Sequence, residues 1–143
     1  MRVFFLAAMA LLAPQVAVAG HHEEALKLVK RQADALMTVT SINLGDNGTT
    51  ITAAGDMGEY GKGYTTYKLT LGADGANAKV IGQGRGVSDN EVATGDLFGH
   101  EYREGAVLTV RNTVQINDGS QNLDVITFDA AHNELLLRAY ILK

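Results

Sequence analysis

The sequence contains no cysteine. Thiolate nucleophiles and Cys-based metal centres are therefore excluded, and the core must close by packing, without disulfides. Tryptophan is also absent, and proline occurs once, at Pro14. Positive charge is scarce: 12 Lys and Arg stand against 16 Asp and Glu, a formal net charge of −4. With no Lys/Arg cluster to neutralise phosphates, a nucleic-acid partner is disfavoured. The same sign disfavours an anionic membrane surface. Familiar enzyme motifs are missing too, since no serine stands in G-x-S-x-G and no H-E-x-x-H occurs.

What is present begins with "MRVFFLAAMALLAPQVAVAG". Arg2 supplies a short positive region, an apolar run follows, and Ala17 and Ala19 are the small residues a signal peptidase reads. The pattern predicts a signal peptide over residues 1–19, cleaved after Ala19, and a periplasmic or secreted product. The apolar run is shorter than the roughly 20 residues needed to cross a bilayer, so no membrane span is expected in the mature chain. Cleavage leaves one ordinary domain's worth of sequence. It also removes Arg2, taking the net charge from −4 to −5.

Residues 20–37 read as an N-terminal segment and helix. Leu26, Val29, Ala33 and Leu36 share one helical face, Leu28 widens it, and Lys27 follows Glu23 by four residues. From Thr38 the rhythm changes to period two. Turn signals such as "GDNG" at 45–48, "GADGA" at 72–76 and "NDG" at 117–119 divide residues 38–143 into eight strand candidates. These run over 38–44, 48–54, 63–72, 76–87, 92–103, 105–117, 119–129 and 134–142. Short connections make neighbours antiparallel. The predicted fold is mainly β: a single antiparallel meander of about eight strands closing into a barrel or strongly curved sheet, with one amphipathic helix before it. Alternation is clearest where Leu108, Val110, Val114 and Ile116 share a face with Asn112, and where Leu135, Leu137 and Ala139 share another.

"VIGQGRGV", residues 80–87, places glycine at 82, 84 and 86. A dinucleotide loop needs G-x-G-x-x-G ahead of a helix, but Val87 stands where the third glycine belongs and no helical pattern follows. Read as a strand, the three glycines strip one face of side chains. Such a strip marks a bend, or a close approach by another backbone or a ligand.

Four residues are candidates for ligand binding. Tyr60 and Tyr64 lie in the glycine-rich "GEYGKGYTTY" at one rim, each with an apolar body and a polar tip. Asn112 interrupts an apolar face, where a buried amide must find partners. His100 stands beside Glu101, four residues after Asp96. Separately, cleavage after Ala19 would expose Gly20-His21-His22, a set of amine, amide and imidazole nitrogens suited to square-planar Cu(II).

The plan of an exported chain with about eight antiparallel strands resembles lipocalin-type and allene-oxide-cyclase-type small barrels in architecture. The Gly-x-Trp signature of lipocalins is absent along with tryptophan, and no site residue carries over. The reading these features favour is a non-enzymatic, exported barrel that binds a small apolar or amphipathic molecule. One alternative is a small barrel enzyme, an isomerase or hydrolase using His100 and nearby carboxylates. Another is Cu(II) binding by the mature terminus.

Overall fold

The two-residue alternation carries through the chain as pairing between consecutive strands. The computed structural model describes residues 27–72 and 77–143. In it, eight strands form one closed up-and-down barrel. They are β1 (Ala35–Gly45), β2 (Gly48–Asp56), β3 (Lys62–Leu71), β4 (Ala78–Val87), β5 (Val92–Glu104), β6 (Val107–Ile116), β7 (Gln121–Asp129) and β8 (Glu134–Ile141). Every neighbouring pair is antiparallel, and β1 closes the sheet against β8. Among the described residues the only helical element is a single 3₁₀ turn, Gly58–Tyr60, between β2 and β3.

One face of each strand turns inward. Met37, Val80, Ile126, Leu135 and Leu137 are fully buried there, joined by Tyr67, Leu97, Leu108 and Phe128. Burying one such aliphatic or aromatic side chain contributes roughly 1.5–3 kcal/mol, so this row of side chains is what holds a disulfide-free barrel shut. Most of the interior is filled in this way, as expected for a barrel of eight strands.

The helix expected over residues 23–37 does not form where the chain is described. Ala35, Leu36 and Met37 belong to β1, and residues 27–34 are extended or bent. The cause is an unpaired edge. β1 matches β8 over only four residue pairs, Ala35↔Leu137 to Thr38↔Glu134. The last residues of β8 would otherwise lack partners, and unpaired backbone groups are costly. Residues 29–31 supply them: Ile141 N–H donates to the Val29 carbonyl at 2.8 Å, and Arg31 N–H donates to the Ala139 carbonyl at 2.9 Å. Tertiary pairing thus overrides local helix preference. The expected helical face stays in solvent, with Leu28, Val29 and Leu36 all exposed. Residues 23–26, the leader over 1–19 and the copper-competent Gly20-His21-His22 lie outside the described residues.

The glycines of β4 face inward, as the alternation requires. They do two different jobs. Gly86 lies under the 3₁₀ turn, where an added Cβ would stand 2.6 Å from the Tyr60 Cβ. Gly63, its partner on β3, lies under Met57 in the same way. The bare strip therefore seats the 57–60 segment, whose Met57 and Tyr60 fold inward and pack on the core. Gly84 differs, for a Cβ there would meet only the Thr65 Cγ2, at 3.7 Å.

Candidate functional site

Space beside Gly84 is the upper end of a small internal cavity of about 50 Å³. It lies at the barrel end formed by the N-terminal segment and the turns after β2, β4 and β6. Its walls come from six strands, β3 to β8, and are mostly apolar, with Leu97, Val114, Ile116 and Leu137 among them, and glycine at 84, 86 and 95. The glycines keep it open. A Cβ on Gly95 would stand 2.8 Å from the Val114 Cγ1, inside ordinary van der Waals contact.

Into this apolar chamber two strands send buried polar groups. Thr65 and Tyr67 come from β3, and Asn122 and Asp124 from β7, all within 5% of full burial. The Thr65 Oγ1, the Tyr67 hydroxyl and the Asp124 Oδ1 find no hydrogen-bond partner within the protein. Asn112 of β6 is opposite Asp124 in the strand register, is 1% exposed, and likewise leaves both amide atoms unpartnered. Such groups are ordinarily paired when buried, and each left unmet costs about 1–3 kcal/mol. Apolar walls with a few placed polar groups are the lining that small-molecule sites commonly have.

The electrostatics follow from the burial. Loss of solvent pushes the Asp124 carboxyl up to about 7, against the pull of the Arg31 guanidinium. Burial likewise raises the Tyr67 hydroxyl, opposed by the polar Thr65 side chain beside it and pushed further by the Asp124 charge. Tyr60 is raised as well, by burial first, with Asn122 and Arg31 opposing. Arg31 does not neutralise Asp124. Its Nε donates to the Asn122 Oδ1, and its second nitrogen donates to the Lys143 carbonyl at 2.9 Å. No ion pair to Asp124 forms among the described residues.

Above the cavity, and sharing Tyr60, Gly86 and Ala93 with it, opens a polar vestibule of about 540 Å³. Glu59, Glu91 and Asp118 line its rim with Arg31. The vestibule and the inner chamber adjoin at Tyr60, Gly86 and Ala93. The outer part falls in the roughly 300–1,000 Å³ range of small-molecule sites.

The four residues singled out from sequence part company here. Tyr60 lines both chamber and vestibule. Asn112 is inside the barrel, next to the site through Asp124. Tyr64 lies on the outer wall of β3, with the Lys62 ammonium 5.8 Å from its ring centre. His100 lies on the outer wall of β5, exposed, with Lys79 and Arg111 as its cross-strand neighbours. Neither reaches the chamber. The adjacent Glu101 points inward, 4% exposed, with Arg103 at 3.8 Å. Among the described residues His100 forms no ion pair with a carboxylate. No His/Asp/Glu group with metal-binding geometry occurs among the described residues.

The unpartnered Tyr67 hydroxyl has a measurable consequence for stability. Because it has no partner to lose, Tyr67→Phe is expected to leave unfolding stability within about 1 kcal/mol or to raise it. Urea denaturation measures this, and a loss well above that figure would mean the hydroxyl is paired.

No family model, curated protein or solved structure matches the chain. The likeness to lipocalin-type and allene-oxide-cyclase-type barrels rests on the strand plan alone.

Proposed function

We propose that this is a non-enzymatic binding protein, acting outside the cytoplasm, that takes a small amphipathic ligand through the vestibule into the chamber at Asp124. One observation carries the reading: four unpartnered, buried polar atoms, the Gln32 Oε1, the Thr65 Oγ1, the Tyr67 hydroxyl and the Asp124 Oδ1, belong to residues lining a chamber whose walls are otherwise mostly apolar and glycine-lined. A ligand with a polar head and a short apolar body matches both. Export rests on the leader-like residues 1–19.

The experiment is a fragment screen by amide chemical-shift mapping on the purified protein. Ligands are expected to shift Gly84, Gly95, Ile116 and Asn122 together, saturably, and Gly84→Val is expected to abolish those shifts by filling the chamber while the barrel stays folded. Shifts scattered over the outer wall, or unchanged by Gly84→Val, would remove the chamber as the site.

A further inference from the structure

We infer that the ligand of this site is a small organic ammonium ion whose N–H groups are received by the Asp124 carboxylate, the Tyr67 hydroxyl and the Thr65 hydroxyl. The inference rests on the proposed binding function and adds the chemical class of the ligand. Three observations, drawn from different parts of the molecule, support it.

The first is the unmatched sign inside the chamber. Asp124 is 5% exposed, its Oδ1 is unpartnered, and no cation pairs with it. The charged or titratable groups that face it are Arg31 from the N-terminal segment and Tyr67 from β3. The neighbouring strands β6 and β8 present Asn112 and Ala139, which carry no charge. Arg31 is occupied elsewhere, by Asn122 and the carbonyls of Gln121 and Lys143. A buried carboxylate needs a counter-charge or a proton, and a ligand cation supplies the former.

The second is the kind of atoms beside it. An ammonium nitrogen donates hydrogen bonds and accepts none. The Thr65 Oγ1, Tyr67 hydroxyl oxygen and Asp124 Oδ1 can all accept, and all three are free to do so. At about 50 Å³ the chamber takes the ammonium head and the first carbon of its alkyl group against Leu97, Val114 and Ile116, and a longer chain would extend past Tyr60 and Gly86 toward the vestibule. An anionic ligand would meet Asp124 at like charge and find a single cation, Arg31, at the rim.

The third is the approach. Three carboxylates, Glu59, Glu91 and Asp118, line the vestibule against one guanidinium. A cleft lined by one sign of charge raises the local concentration of the opposite ion and speeds its arrival. The charge pattern is thus the same from the rim to the chamber floor. It selects cations.

The test uses n-butylammonium chloride as the probe, with n-butanol as its neutral counterpart of similar shape, titrated calorimetrically into the purified protein. Butylammonium stays protonated from pH 6 to 8 while Asp124 ionises around pH 7. Its affinity is therefore expected to rise roughly tenfold between those two pH values. Asp124→Asn is expected to weaken binding at pH 8 at least tenfold and to flatten the pH dependence. Tyr67→Phe, which keeps the charge, is expected to weaken it severalfold and to leave the pH dependence intact. Butanol is expected to bind more weakly at pH 8, with no rise across the range.

Butanol binding as tightly as butylammonium, or Asp124→Asn binding butylammonium as the parent does, would overturn the ammonium assignment while leaving the chamber as a ligand site. Saturable binding of neither probe would overturn both. Butylammonium binding that survives Gly84→Val would place it on the acidic surface instead, and would equally defeat the assignment.

Discussion

Asp124→Asn is expected to make the protein more stable at pH 8 and to erase most of the pH dependence of its unfolding. In the folded protein, burial raises this carboxyl from an ordinary 3.8 to about 7. A carboxyl with a folded pKa above its unfolded one binds its proton more tightly in the folded state. Its favourable contribution is therefore complete below about pH 4 and is lost progressively as pH rises through 7. The span corresponds to roughly 4 kcal/mol at most, and Arg31, partly exposed at the rim, already moderates it. The variant removes the charge and keeps the shape. Urea midpoints at pH 4.5 and pH 8 measure the effect: the parent should fall by a few kcal/mol between them while the variant stays nearly level. A parent as stable at pH 8 as at pH 4.5 would show that Asp124 is not in a dry chamber. A saturating cation should reproduce part of the gain, because it stabilises the same ionised form.

The second large effect concerns the inward glycines, which look alike in sequence and differ in space. At Gly99 an added Cβ would stand 2.6 Å from the Asn112 Cα and closer still to the Arg111 carbonyl oxygen. Both are backbone on the paired strand, so nothing flexible can give way. Gly82 meets the Thr66 carbonyl on β3 in the same manner. Gly99→Ala and Gly82→Ala are each expected to cost about 3 kcal/mol or more, the upper end of the range for overpacked cores. Gly84→Ala is expected to change stability by less than about 0.5 kcal/mol or to increase it, since alanine loses less backbone freedom on folding. Denaturation midpoints for the three variants decide the matter. Equal costs at all three positions would mean that Gly84 does not border open space.

Much of the architecture was legible because period two is a strong signal when one face is buried. The strips Leu108–Val110–Asn112–Val114–Ile116 and Leu135–Leu137–Ala139 point inward as their alternation implies. The N-terminal segment misled because Leu26, Val29, Ala33 and Leu36 fit a helical spacing, while Ala35, Met37 and Val39 fit a strand equally well. Only the missing partner at the end of β8 chooses between them, and that partner is a hundred residues distant in sequence. Asp124 was hidden for a related reason. In "QNLDVITFDA" the alternative face carries Leu123 and Val125, which look more core-like than Asn122 and Asp124. The register with β6 and β8, fixed by many pairs at once, turns the polar set inward. Tyr60 drew notice through its glycine-rich surroundings. His100 and Tyr64 drew notice by residue type, a property that says nothing about which side of a wall they occupy.

Sealing the wall requires Leu137 to meet Ala35 and Leu135 to meet Met37, residues from the two extremities of the described chain. A ribosome or translocon delivers these ends in order, so the early strands must wait, with one margin ungated, until the last hairpin arrives. During that interval the margin of β1 is open to any neighbouring strand, a hazard intrinsic to slow, non-local assembly. Residues 29–31, clasping the far end of β8 once it appears, act as the latch that ends the exposure.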